Sequence, residues 1–105
     1  MGSIAALADT AGVHVTHVAG LELIRAEDAP ALLAAFTPAR LRVLGVEGFR
    51  IEGSDGVRPA MDAILDLSGL DDAAKSVVEA EQFIGTASAP DVFFEFTVDE
   101  AGGRT

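Results

Sequence analysis

The most regular pattern in the chain lies near its end. From Asp91 to Asp99, Val92, Phe94, Phe96 and Val98 share one parity, while Asp91, Glu95, Thr97 and Asp99 share the other. Successive strand residues point to opposite faces, so this segment predicts a β-strand with one buried side. Phe93 breaks the rule as an aromatic residue on the polar parity. Leu41 to Glu52 carries the same period with a disturbance. Leu41, Val43, Phe49 and Ile51 share a parity, and Leu44, Gly45, Val46 and Gly48 interrupt it. The interruption predicts a bulge, or a strand buried on both sides.

Gly53-Ser54-Asp55-Gly56 reads as a turn, and Val57 to Ser68 alternates again. A three-residue loop, Ser54-Asp55-Gly56, pairs odd positions with odd and keeps apolar side chains together. It sets Ile51 opposite Pro59, Phe49 opposite Met61 and Glu52 opposite Arg58, with Gly56 in the left-handed position. A rival reading makes Pro59 to Leu67 a helix, with Pro59 in its first turn and Gly69 beyond its end.

Helical spacing appears three times. Ser3 to Ala11 places Ile4, Leu7 and Ala8 on one side and stops at Gly12. Glu27 to Phe36 carries Leu32, Leu33 and Phe36 at spacings of three and four, acids in its first turn, and Thr37-Pro38 as its stop. A third helix starts from a cap among Ser68, Asp71 and Asp72 and runs to about Ile84, with Gly85 ending it. Its inner stripe is Ala73, Ala74, Val77, Ala80, Phe83 and Ile84. Val13, Val15 and Val18 are β-branched and read as a strand that resumes from Leu21 to Arg25 after a break at Gly20.

After the short leading helix the order is β-α-β-β-α-β. That is the ferredoxin-like order, an antiparallel α+β sheet with helices on one face. A barstar-like α/β arrangement with a parallel sheet is the alternative if Pro59 to Leu67 is helical. The 105 residues make one domain, 1–105, with residues 1–3 and 101–105 expected to fray.

Charge adds the strongest global constraint. Seventeen acids face seven bases, for a formal net of −10. Residues 59–103 hold ten of those acids and one base, Lys75. Such a chain is repelled by nucleic acid and by anionic membranes and is drawn toward basic proteins. The longest uncharged stretches, Thr10 to Leu21 and Ala29 to Ala39, are too short to span a bilayer. There is no cysteine, which excludes disulfides and thiolate metal sites and fits a reducing, cytoplasmic setting.

Candidate chemistry is sparse. His14 and His17 are the only histidines, with Glu22 the nearest carboxylate following them. Three residues apart, they point to opposite faces of a strand, so convergence on a metal requires a turn. Asp62 and Asp66 share a face in either reading of their segment, a polar one where both stay ionised. No glycine pattern matches a phosphate or dinucleotide loop, and Ser54 has no strand-to-helix context for a nucleophile. The sequence therefore implies no cofactor, no metal and no catalytic residue. The expected function is a non-enzymatic binding module, an acidic inhibitor or immunity-type protein that neutralises a basic partner. Its contact residues would be Phe93 and Glu95 with Asp62, Asp66, Asp71, Asp72, Glu79 and Glu81. The alternative is a small dimeric ferredoxin-like protein, ligand-binding or enzymatic, whose pocket between sheet and helices is lined by His14, His17 and Arg25.

Overall fold

Four strands of the βαββαβ set and one extra strand form a single antiparallel sheet, with three helices packed on one of its faces. This is a computed structural model that describes residues 4–53, 56–87, 89 and 91–100; the side chains of Met61, Asp62 and Glu100 lie outside the description. The tails expected to fray, 1–3 and 101–105, also lie outside it. Helix α1 (Ala5–Ala11) ends at Gly12, whose φ of 75° is the left-handed stop read from the sequence. The valine-rich segment is two strands, not one: β1 (Thr16–Val18) and β2 (Leu21–Arg25) form a hairpin across Ala19-Gly20. Both turn residues have positive φ, 53° and 81°. This is the geometry that matches the twist of a tight hairpin.

A 3-10 turn, Ala26–Asp28, leads into α2 (Ala29–Phe36), which buries Leu32, Leu33 and Phe36. Phe36 meets Phe96 edge-on, with ring centroids 5.8 Å apart, at the centre of the core. Strands β3 (Leu41–Glu52) and β4 (Gly56–Asp66) form the long hairpin. The strand reading of residues 57–68 is thus the right one, and the barstar-like alternative falls with its helix. The hairpin loop is three residues long, but it is Gly53-Ser54-Asp55, closed by Glu52 opposite Gly56. The register is therefore shifted from the expected one: Ile51 faces Val57 and Phe49 faces Pro59. The positive φ falls at Gly53 and not at Gly56. Ser54 and Asp55 lie outside the described residues.

Helix α3 (Ala73–Ala87) starts at Asp72, whose carboxylate accepts the Lys75 N–H at 3.0 Å, and runs through Gly85. Its buried stripe is Ser76, Val77, Ala80 and Ile84; Ala74, expected inside, is exposed. Strand β5 (Val92–Glu100) buries Val92, Phe94 and Phe96 against the helices, as its alternation requires.

The sheet order is β1-β2-β5-β3-β4. The second and fourth strands of the βαββαβ set, β3 and β5, are central. A ferredoxin-like sheet centres the first and third, so that expectation is corrected here while the antiparallel α+β class holds. Pro59 supplies a physical reason. It lies in the third strand, and proline cannot donate to a ladder, which confines it to an edge. β4 is that edge. β5, apolar on one face and carrying Phe93 on the other, takes a central place.

The disturbance in β3 is a bulge of its own against β5 and an irregularity facing extra residues of β4 on the other side. Its register against β5 shifts between Val43 and Gly45, and against β4 between Glu47 and Phe49. At the second, Ala60 to Ala63 of β4 stand opposite Gly48 alone. A Cβ on Gly48 would lie 2.7 Å from the Ala63 Cβ and 3.3 Å from Val92 Cγ1. β4 stops at Asp66, leaving the start of β3 without a strand neighbour on that side. Ser76 of α3 fills the gap: fully buried, its hydroxyl accepts the Val43 N–H at 2.9 Å and donates to the Ala73 carbonyl at 2.7 Å.

Three stability outcomes follow from this packing. Gly48→Ala is expected to cost about 1–3 kcal/mol by overpacking, whereas Gly85→Ala, with open space around it, gains about 0.4–1 kcal/mol through helix propensity. Ser76→Ala leaves the Val43 N–H buried and unpaired, at about 1–3 kcal/mol. Urea denaturation of the three variants checks all of these signs.

Candidate functional site

The face of the sheet away from the helices carries the most unusual arrangement of side chains. Register places Phe49 opposite Phe93, and the next pair along, on the same parity, is Glu47 opposite Glu95. Each row extends sideways. Arg25 of β2 neighbours Phe93, Pro59 of β4 neighbours Phe49, and Ile64 of β4 neighbours Glu47. Two carboxylates thus stand across from one another on the central strands, bordered by two phenylalanines and an isoleucine. Directly opposed like charges destabilise a sheet.

The sheet is near-barrel-shaped, and this face, whose buried residues lie outside the helix-covered core cluster, is taken as its concave side. Leu23 and Phe49 are buried there without any helix above them. Phe93, Glu47 and Glu95 are half-buried, and Ile64 is 49% exposed at the rim. Burial pushes the Glu95 carboxyl above the usual glutamate range, and the charges of Glu47 and Glu22 push it further the same way.

The arginines are largely committed elsewhere. Arg42 reaches the Asp71 and Asp99 carboxylates at 3.4 and 3.3 Å and the Leu70 carbonyl at 3.1 Å. Arg50 pairs with Asp91 at 2.9 Å, and Arg58 pairs with Glu52 at 2.8 Å. That last ion pair was expected as a directly opposed couple; it forms as a diagonal one. Arg25 pairs with Glu27 at 3.8 Å. Among the described residues, no ion pair involves Glu47 or Glu95.

The contact residues expected from the sequence do not form one patch. Phe93 and Glu95 lie on the concave face. Glu79 and Glu81 are exposed on α3, in the layer packed against the opposite face. Asp71 is held by Arg42, and Asp72 caps α3. Asp66 accepts the Ser68 hydroxyl at 2.7 Å and its N–H at 3.0 Å, and these bonds hold its carboxyl below the usual aspartate range. The Asp62 side chain lies outside the described residues. Glu47, Phe49 and Ile64 were not anticipated. Glu47 interrupts an apolar strand on the parity of Phe49, a legible signal once both faces of β3 are considered.

His14 and His17 do come together, along a groove of about 420 Å³ between α1 and β1 that Asp9 and Val13 also line. The groove is not the expected pocket. Phe36, Phe94 and Phe96 fill the space between sheet and helices, and Arg25 is absent from the groove lining. His17 is exposed and sits 3.8 Å from Glu22. No group of three or more metal-ligating side chains occurs among the described residues, nor does a helix long and apolar enough to cross a membrane.

No family model matches the chain, and no curated protein and no solved structure matches it either.

A carboxyl raised in the folded state binds its proton more tightly there than in the unfolded chain. Folding stability therefore falls as pH rises from the ordinary glutamate range through the raised value. Glu95→Gln is expected to stabilise the protein at pH 7 and to lose that advantage in acid below the ordinary glutamate range. Thermal melts of both proteins from pH 3 to pH 8 (~ bounds set by the carboxylate range) measure the difference.

Proposed function

We propose that this chain is a non-enzymatic protein-binding module that recognises a basic protein partner, in the manner of an acidic inhibitor or immunity-type protein acting in the cytoplasm. The observation that carries the reading is the opposed pair Glu47 and Glu95 among Phe49, Phe93 and Ile64 on the helix-free face. The pair costs the isolated fold stability, and a lysine or arginine from outside would convert that repulsion into attraction. The apolar border would exclude water around the charges, as the centre of an interface does. With four arginines held in internal pairs, the acid surplus is what an approaching protein meets. A homodimer through this face would set the carboxylates against their own copies, which like-charge repulsion opposes.

The test uses the full chain as bait in a lysate of its source, alongside a Glu47→Lys/Glu95→Lys variant with an unchanged melting profile. A basic protein retained by the wild type at low salt, released at high salt and ignored by the variant is the expected result. Equal capture by both baits, or capture of no basic protein, overturns the reading.

A further inference from the structure

A sheet edge exposes backbone groups that invite pairing, and native folds defend them. Two edges of this sheet are defended. β4 carries Pro59, Arg58 and the irregular stretch Ala60 to Ala63, all unsuited to a regular ladder. β1 is only three residues long. A third edge lies inside the sheet. β5 pairs with β3 along its whole length, from Val92 to Glu100. Its pairing with β2 on the other side consists of Arg25 with Phe93 and Ile24 with Phe94, and then stops. From Glu95 onward, no register pair joins β5 to β2 among the described residues. Gly20 and Glu22 of the β1–β2 hairpin stand beside Glu95 and Phe96 across a wedge that holds no ladder pair.

At the mouth of this wedge is a notch of about 220 Å³, lined by Ile4, Gly20, Glu22, Glu95 and Phe96. Its exposed lining is mostly polar and includes the carboxylates of Glu22 and Glu95, with Ile4 and Phe96 largely buried behind them. Glu47 lies beyond Glu95 on the neighbouring strand.

We infer that the open edge of β5, from Glu95 to Asp99, accepts one extended strand of a partner protein, with a lysine or arginine of that strand entering the notch beside Glu95. The inference rests on the binding-module reading and names how the partner engages it. Strand addition takes affinity from main-chain hydrogen bonds and specificity from side-chain pockets next to the edge. Charge decides the occupant. An antiparallel pairing of two β5 edges centred on Thr97 would set Glu95 opposite Asp99 twice, a like-charge arrangement that disfavours a second copy even with Arg42 beside each Asp99 at 3.3 Å. A cationic strand meets the opposite condition along the same edge.

The test is amide hydrogen exchange on the full chain, resolved by NMR. In the free protein, alternate amides from Glu95 to Asp99 should exchange at the rate of exposed groups while Phe93 and Phe94 are protected. The probe is a synthetic octapeptide of alternating Thr and Val with one central Lys. It should slow those open amides by about tenfold or more. A twin with Glu in place of Lys, and a twin N-methylated at alternate residues, should not. Protection already present in the free protein, protection that rises with protein concentration alone, or equal effects of the Lys and Glu peptides would each overturn the inference. The two proposals also fail separately. A captured basic protein that leaves these amides fast removes the strand-addition mode and keeps the module. Edge protection by the Lys peptide without any basic protein captured keeps the edge and removes the concave-face reading.

Discussion

A proline in a β-ladder has no proton to donate, and much of this architecture is consistent with that one missing bond. Pro59 lies in the middle of β4, where a neighbour on both sides would leave a carbonyl without its donor. β4 therefore belongs at an edge, with β3 as its one partner. The remaining strands then order themselves by apolar content. β5, with valine and phenylalanine on one face and Phe93 on the other, fills the centre beside β3. The short β1–β2 hairpin closes the far side. The bulge of β3 against β5 and the extra residues of β4 opposite Gly48 let a twelve-residue strand follow the curl of the sheet, and Gly48 lets β4 pack against it there.

That arrangement determines what can reach the helix-free face. All three helices pack against Val43, Val46, Val92, Phe94 and Phe96, so one side of the sheet is closed by a dry core. The other side is shielded only by its own curvature, which suffices to bury Leu23 and Phe49 and leaves Glu47 and Glu95 half-buried. A carboxylate in that position loses part of its hydration without gaining a counter-charge. Fold stability alone would favour threonine or valine there. Departures from local consistency of this kind concentrate where a protein does its work.

How much of this was legible in the sequence depends on the range of each interaction. β5 was readable because alternation is local, and Gly12 because a left-handed stop is local. The β1–β2 hairpin was read as one interrupted strand because Ala19 occupies a positive-φ position that asparagine or glycine usually announces. The strand order depends on contacts across the whole chain, and its one local clue was Pro59. Ser76 was invisible as a core residue. Its place inside α3 makes sense only once β4 ends at Asp66 and exposes the Val43 N–H. The candidate site was half legible for the same reason. Phe93 and Glu95 stood out on their own strand, but their partners Glu47, Phe49 and Ile64 come from two others. The acids of α3, grouped with them by charge alone, sit in the helix layer.

Under the proposed reading, the acid surplus would act in partner choice as well as in solubility. An unpaired strand edge is most exposed to copies of itself, because an identical strand always offers a compatible length and register. In the proposed strand addition, charge on the edge would break that compatibility: Glu95 would repel the Asp99 of a second copy, although Arg42 beside Asp99 offsets part of that repulsion. The same charges attract a strand of opposite sign. A proline or a bulge, the devices that close β4, blocks every partner alike. Acidic side chains discriminate instead, and only a discriminating edge can stay open in an isolated protein and still be filled by one class of partner.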